Sequence, residues 1–134
     1  MDDQAATALL KRAKAAAANA HAPYSELRVG AAILAASGAA YTGCNVENPS
    51  FSAAICAERG ALSAMVAAEG SAARIAAVAV WCSGRNPCYP CGVCLQAMLP
   101  FAEEGAVAVV EDETGSVDSE TELAALLPRA FTGW

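Results

Sequence analysis

Three cysteines and one glutamate, in two short stretches of the sequence, have the residue types and spacing of a catalytic metal centre. Glu58 lies two residues after Cys56. Cys91 directly follows a proline, and Cys94 lies three residues after Cys91. Thiolates suit zinc, and a site with three protein ligands keeps its fourth position open for water. Zinc lowers the pKa of bound water from ~15.7 toward ~7, so that hydroxide is available at neutral pH. The pattern therefore predicts a hydrolytic zinc centre with Glu58 as its proton carrier.

Two neighbouring residues affect the charge and the closure of this centre. Three thiolates around one zinc ion leave a net negative charge, which makes the metal a weaker acid unless a cation offsets it. Arg59 is the candidate cation, and an ordinary solvated helix arginine is the alternative. Cys88 precedes Cys91 by three residues and could compete as a ligand, but a fourth thiolate would close the position that catalysis needs.

The hydrophobic pattern predicts the elements that position these residues. Helices are predicted over residues 3–20, 53–69 and 91–104, with a short helical segment over 122–127, and strands over 29–36, 40–46, 75–82 and 106–111. A polar turn with a further short strand is expected over 112–118. The alternation of strands and helices predicts an α/β layered fold with a mixed sheet. The continuous apolar run over residues 29–34 indicates a strand that is covered on both faces.

The helix that carries Cys56 and Glu58 constrains where the metal can lie. Helix positions two apart do not share a face, so these two side chains meet only off the N-terminal end of the helix. The positive end of a helix also favours a thiolate. His21, beside Pro23, is predicted to be a surface residue at a helix end, with metal binding as the alternative.

Asn45 and Glu47 are the candidate substrate ligands at the end of the second strand. Side chains repeat every second residue along a strand, so these two fall on the same side. A carboxylate and an amide in that position would suit vicinal hydroxyl groups, whereas the alternative is a polar strand end that runs into the Asn48-Pro49-Ser50 turn. Cys44 and Cys82 lie in apolar strands and are predicted to be small buried residues.

Composition and charge restrict the classes of function. The chain has 134 residues, which fits one domain, and its formal net charge of -6 with only 8 Lys and Arg disfavours a nucleic-acid polymer as partner. No apolar run approaches the roughly 20 residues that cross a bilayer. The acidic start Met1-Asp2-Asp3-Gln4 lacks a signal-peptide pattern, so a cytoplasmic protein with free or metal-bound thiols is expected. A small free substrate is favoured.

Four motifs carry a family resemblance that runs from about Pro23 to Phe131. They are Thr42-Gly43-Cys44-Asn45-Val46-Glu47-Asn48, Ile55-Cys56-Ala57-Glu58-Arg59, Pro90-Cys91-Gly92-Val93-Cys94 with Gln96, and Leu126-Leu127-Pro128-Arg129-Ala130-Phe131. In this order and spacing they resemble the small homotetrameric cytidine deaminases, and the cysteines match the zinc signature of nucleobase deaminases. The resemblance implies a three-layer α/β/α fold with a mixed five-stranded sheet, as a single domain over residues 1–134.

The resemblance also implies an activity. It is the hydrolysis of cytidine and 2'-deoxycytidine to uridine and 2'-deoxyuridine in pyrimidine salvage, with one zinc ion per subunit and no organic cofactor. Glu58 would move protons from water to N3 of the base and to the departing amine. The backbone N–H of Ala57 would hold O2 of the base, and the Pro90 carbonyl would accept from the amine. Asn45 and Glu47 would hold the ribose 3'-hydroxyl.

Several positions depart from the family pattern. Leu27 and Arg28 stand where Phe and Pro are usual, Phe51 where Tyr is common, and Leu95 where an arginine usually follows the second cysteine of the pair. The family Phe packs near the substrate, so Leu27 is expected to loosen that wall. Leu95 removes a cation near the metal unless Arg59 or Arg28 compensates. These departures bear on substrate preference and efficiency, and they leave the zinc chemistry intact.

The resemblance further implies a homotetramer whose sites borrow residues from neighbouring subunits, Phe51 and Phe131 among them. Exposed apolar helix faces on an alanine-rich chain would fit burial in such an oligomer. The alternative is that Phe131 and Trp134 form a C-terminal tail packed on its own subunit.

Two rival functions remain open at this point. One is the deamination of a modified cytosine nucleoside such as blasticidin S, whose deaminases share the zinc motifs, although Asn45-Val46-Glu47-Asn48 favours a ribose. The other is a structural zinc module that uses four closed ligands, Cys56, Cys88, Cys91 and Cys94, and this would leave Glu58 without a role.

Overall fold

Five strands of this chain form one mixed β-sheet with helices on both of its faces. The computed structural model describes residues 1–133, in which the strands and α-helices are α1 (Asp3–Ala17), β1 (Val29–Ala35), β2 (Ala40–Cys44), α2 (Ala57–Glu69), β3 (Ile75–Cys82), α3 (Gly92–Met98), β4 (Ala102–Glu111) and β5 (Val117–Asp118). Short 3-10 helices cover Phe51–Ala53, Leu99–Phe101 and Leu123–Leu126.

The strand order is β2-β1-β3-β4-β5. The pairs β1 with β2, β1 with β3 and β4 with β5 are antiparallel, whereas β3 and β4 are parallel. Because β2 and β3 are both antiparallel to β1, their carboxyl ends at Cys44 and Cys82 lie at the same edge of the sheet, beside the start of β1. The mixed five-stranded sheet is as expected from the sequence.

The two faces of the sheet bury separate apolar clusters. On one face α1 packs Leu9, Leu10 and Ala13 against Ala32 of β1. On the other face α2 and α3 pack against Ala31 and Ile33 of the same strand, as part of the larger cluster. Neighbouring residues of β1 are therefore buried on opposite faces, which explains its continuous apolar run. Helices on both sides of the sheet give the three-layer α/β/α arrangement.

Two helix boundaries differ from the sequence prediction. The second helix begins at Ala57 rather than at residue 53, because Ile55 exchanges two backbone hydrogen bonds with Val46, of 2.9 and 3.0 Å, and must be extended. The third helix ends at Met98 rather than at residue 104. Pro100 lacks the amide that would continue the helix, and β4 already begins at Ala102, which pairs with β3.

Smaller differences occur at the ends of α1 and β2. The first helix ends at Ala17 rather than at residue 20, and Asp2 caps its start by accepting from the Ala5 amide at 2.8 Å. Strand β2 ends at Cys44, which is half-buried rather than buried as predicted, while Cys82 is buried.

Gly43 of β2 lets the start of α2 lie directly on the sheet. A Cβ at this position would be 2.4 Å from the Ala57 carbonyl oxygen and 2.6 Å from the Ala61 nitrogen, both of them backbone atoms. At Gly60, which faces Gly43, an added Cβ would meet its nearest atom at 3.6 Å, an ordinary contact. The helix turn that carries the candidate catalytic residues is therefore seated by backbone contact.

We expect Gly43→Ala to lower the free energy of unfolding by about 1–3 kcal/mol, because the new methyl group has no space between two backbones. Gly60→Ala is the matched control and should be neutral or stabilising by up to about 1 kcal/mol, since alanine is the better helix former. Urea unfolding of the two variants measures both effects. Equal stability of the two variants would show that α2 does not rest on Gly43.

Candidate active site

The side chains of Cys56, Cys91 and Cys94 form one cluster, in which the three sulfur atoms lie within 4.8 Å of one another. Cys56 is the N-cap residue of α2, Cys91 is the N-cap residue of α3, and Cys94 lies in the first turn of α3. The sulfurs therefore meet where two helix N-termini converge, as the spacing of the cysteines predicted. The positive ends of helices stabilise thiolates in such a position.

The donor set of this cluster fits zinc. Thiolates are soft ligands that select zinc, and three of them leave room for a fourth ligand. Cys94 is fully buried, and burial, followed by the negative charge of Glu58, raises the pKa of its thiol. A thiolate in that position needs a cation beside it, which a bound zinc ion would provide. Among residues 1–133, these three cysteines are the group of metal-ligating side chains that lie close enough together to share one ion.

Arg59 is the protein cation at the cluster. Its Nη2 donates to the Cys56 sulfur at 3.8 Å, and the Cys56 and Cys94 sulfurs raise the pKa of its guanidinium. Among residues 1–133 its buried Nε has no hydrogen-bond partner. These contacts place the Arg59 guanidinium at the sulfur cluster, where a solvated helix arginine would not lie.

Arg28 does not supply that positive charge. Its Nη1 donates to the Ala18 carbonyl at 2.6 Å, just beyond the end of α1. Leu95, at the position where an arginine was expected, is buried in the core. Of the two arginines that could compensate for Leu95, Arg59 is therefore the one in contact with the cluster.

Glu58 is a buried carboxylate beside the three sulfurs. It lies in the first turn of α2, its exposed fraction is only 4%, and its charge contributes to raising the pKa of the Cys94 and Cys88 thiols. A buried carboxylate is costly unless it has a partner. In this position the partner would be a metal-centre water or a substrate proton.

A cavity of about 420 Å³ opens beside the cluster. This volume is in the range of small-molecule sites. Its lining includes most of the candidate residues, namely Leu27, Asn45, Glu47, Phe51, Cys56, Ala57, Glu58, Arg59 and Cys91. The lining does not include Pro90, Cys94 or Phe131. Pro90 and Cys94 are buried next to it, and the Phe131 carbonyl accepts from Gln96 Nε2 at 2.6 Å. Trp134 lies outside the described residues.

Asn45 and Glu47 lie just beyond the end of β2 and line the same cavity. Asn45 Oδ1 accepts from the Val29 amide at 2.8 Å, and its Nδ2 donates to the Leu27 carbonyl at 2.9 Å. Glu47 accepts from Ser25, and this bond lowers the pKa of its carboxyl, which therefore remains an acceptor. The cavity thus has a sulfur cluster and, elsewhere in its lining, two polar side chains of fixed orientation.

Ser25 is a residue of this site that the sequence analysis missed. It lies in an irregular loop 22 residues from its partner Glu47, and no local pattern marks it. His21, in contrast, makes backbone hydrogen bonds with Asn45 and Glu47 and is not part of the sulfur cluster.

Cys88 lies in the cavity lining but outside the sulfur cluster. Burial raises the pKa of its thiol to about 11. Because its sulfur is not among the three clustered atoms, a four-thiolate structural site has no support in residues 1–133. Within the same residues, no helix has the length and apolar character needed to cross a membrane.

Comparison with known proteins identifies the family. The model of the cytidine and deoxycytidylate deaminase zinc-binding region matches residues 3–110. A cytidine deaminase of Sporosarcina psychrophila is 37% identical over 92% of this chain and 89% of its own length.

Solved structures agree with this assignment. The crystal structure of cytidine deaminase from Burkholderia pseudomallei is 41% identical and has a TM-score of 0.84, over 93% of this chain and 98% of that chain. The crystal structure of cytidine deaminase from Mycobacterium tuberculosis is 34% identical and has a TM-score of 0.80, over 96% of this chain and 97% of that chain. These matches confirm both the resemblance and the fold class. Because the family model spans most of the sequence and the relatives match it over nearly their whole lengths, this chain belongs to the cytidine and deoxycytidylate deaminase family.

Proposed function

We propose that this protein hydrolyses cytidine and 2'-deoxycytidine to uridine and 2'-deoxyuridine, with release of ammonia. The observation that carries the proposal is the cavity itself, in which a three-cysteine cluster, a buried glutamate and a pair of polar side chains share one lining. Relatives that match the chain over most of their length carry the name cytidine deaminase. Cytidine + water gives uridine + ammonia, so no redox partner or organic cofactor is required.

In this proposal Cys56, Cys91 and Cys94 hold one zinc ion per subunit. When bound, zinc would act as a Lewis acid that lowers the pKa of water to the neutral range. Arg59 offsets the negative charge of the three thiolates through its contact with Cys56.

Glu58 is the proton carrier. It takes a proton from the attacking water, delivers one to N3 of the cytosine ring, and passes one to the departing amine. Its burial supports this role, because a dry environment strengthens its interactions with the substrate and excludes other proton donors.

The remaining candidate residues hold the substrate. Ala57 is the first residue of α2, so its N–H has no partner within the helix and can donate to O2 of the base. The Pro90 carbonyl accepts from the leaving amine. Asn45 and Glu47 bind the ribose 3'-hydroxyl. Leu27 and Phe51 form apolar walls of the cavity, and Phe131 is contributed by a neighbouring subunit.

A homotetramer with shared sites follows from the same reasoning. Phe51 is 90% exposed and Phe131 is 56% exposed, which is unusual for phenylalanine and fits burial against neighbouring subunits. Each chain is proposed to be a single deaminase domain over residues 1–134. A cytoplasmic role in pyrimidine salvage fits six cysteines without a disulfide bond in residues 1–133.

A substrate panel tests the proposed specificity. Zinc-loaded protein should deaminate cytidine and 2'-deoxycytidine with kcat/KM at least about 100-fold higher than for free cytosine, because free cytosine cannot use Asn45 or Glu47. Blasticidin S is the control substrate for the rival function. Faster turnover of blasticidin S than of cytidine would contradict the proposal and would identify Leu27 and Phe51 as signs of a changed pocket.

A further inference from the structure

The carboxylate of Glu47 is held by three donors from one loop between α1 and β1. Its Oε1 accepts from the Tyr24 amide at 2.9 Å and from the Ser25 amide at 3.1 Å. Its Oε2 accepts from the Ser25 hydroxyl at 2.5 Å. Two of the three donors thus belong to a single residue, Ser25.

The conformation of this loop brings the donors to Glu47. The Glu26 amide donates to the Ala22 carbonyl at 3.0 Å, and Glu26 has a φ of 61°, in the left-handed region that non-glycine residues seldom adopt. Such a conformation is retained only where the surrounding structure requires it. The turn from Ala22 to Glu26 presents two consecutive amides and a hydroxyl to one carboxylate.

Ser25 also connects the two candidate sugar ligands. Its hydroxyl oxygen accepts from the Leu27 amide at 3.0 Å, while the Leu27 carbonyl accepts from Asn45. Glu47 and Asn45 are therefore linked through Ser25 and Leu27, all four of which line the cavity. A change at Ser25 would alter the orientation of Glu47 most directly.

The number of acceptor positions shows what this arrangement leaves available. A carboxylate has about four lone-pair sites. The two backbone amides fill both sites of Oε1, and the Ser25 hydroxyl fills one site of Oε2. One acceptor site remains, on Oε2, and it can receive one further hydroxyl group.

We propose that Ser25 is a positioning residue for substrate selection, which orients Glu47 so that a single acceptor site on Oε2 receives a hydroxyl of the substrate's sugar. This inference rests on the proposed function, in which Glu47 binds the 3'-hydroxyl. Ser25 acts through Glu47 and takes no part in the chemical step. Because Ser25 is exposed, its hydroxyl contributes little to overall stability.

The test compares cytidine with 3'-deoxycytidine, which lacks only the hydroxyl in question. Ser25→Ala should raise KM for cytidine about tenfold and should leave kcat within about twofold of the wild-type value. The reason is that Glu47 loses one of the hydrogen bonds that orient its charged carboxylate. KM for 3'-deoxycytidine should change less than about twofold. Ser25→Thr keeps the hydroxyl and should restore most of the preference for cytidine.

Two further variants separate this role from a general effect on the loop. Ser83 is the matched control, because its hydroxyl also accepts a backbone amide beside the cavity, that of Arg28 at 3.0 Å, without contact to Glu47. Ser83→Ala should leave the preference for cytidine unchanged. In a protein that already carries Glu47→Ala, adding Ser25→Ala should change KM for cytidine by less than about twofold.

The outcomes distinguish a failure of the proposed function from a failure of the role proposed for Ser25. If zinc-loaded wild-type protein converts neither nucleoside, the proposed function is overturned, and the role of Ser25 falls with it. If wild-type protein prefers cytidine and Ser25→Ala keeps the full preference, or loses activity on both nucleosides alike, the role of Ser25 alone is overturned.

Discussion

Glu58→Gln should retain its zinc and lose nearly all turnover of cytidine. A positioned proton carrier typically contributes about 10²–10⁴-fold in rate, so the fall in kcat should be at least of this order. Glutamine has the size of glutamate, and Glu58 is not one of the clustered metal ligands, so folding and metal content should survive. Metal analysis and steady-state kinetics on the same preparation provide the measurement.

The matched control for this variant is Glu69→Gln. Glu69 is the last residue of the same helix, and its carboxylate accepts from Tyr41 at 2.6 Å and Ser37 at 2.8 Å, far from the cavity lining. The same chemical change there should leave kcat nearly unchanged. Activity close to that of wild type in zinc-replete Glu58→Gln would remove Glu58 from the proton-carrying role.

Cys94→Ser should lose zinc and activity together. Cys94 is the buried member of the sulfur cluster, and a serine hydroxyl is a poor ligand for zinc. Loss of an outer partner of a metal ligand already costs about 10–100-fold in affinity, so the loss of a ligand should exceed about 100-fold. Zinc content after dialysis against a chelator, with competition titration, measures the change.

Cys88→Ser is the control for this second prediction. Cys88 lines the same cavity and is also partly buried, but its sulfur is not among the three clustered atoms. The variant should keep zinc at the wild-type level. If Cys88→Ser released zinc as readily as Cys94→Ser, the site would be a closed four-thiolate centre, and the structural alternative would be favoured.

The three-cysteine cluster was predictable because two local motifs mark it. The spacings Cys56 to Glu58 and Cys91 to Cys94 each lie at a predicted helix start, and the family resemblance implied that the two motifs share one site. Strand β3 was predicted with its observed bounds, because an apolar run lies between a polar break and a loop that contains prolines. Family resemblance then supplied the sheet composition and the layer arrangement.

The differences arise where distant parts of the chain contact each other. The start of α2 depends on backbone bonds between Val46 and Ile55, which no periodicity reveals. Residues 102–104 have helix-like composition, but pairing with β3 and the break at Pro100 place them in β4. Local propensity was overridden by sheet pairing in this segment.

Side-chain contacts between loops were equally inaccessible from the sequence. Arg28 was considered as a cation for the metal centre, yet it binds the carbonyl of Ala18. Ser25 attracted no attention, because its partner Glu47 is 22 residues away and neither lies in a regular element at the contact. The sequence therefore predicted the cysteine cluster better than the contacts that hold Asn45 and Glu47.

The most direct test of the central claim is to incubate purified, zinc-loaded protein with cytidine and to quantify uridine and ammonia over time. Our account predicts rapid formation of the two products in equal amounts by the wild type, and loss of both in zinc-replete Glu58→Gln or after zinc is removed by a chelator. Absence of uridine with a full complement of zinc, or conversion that persists after zinc removal, would contradict it.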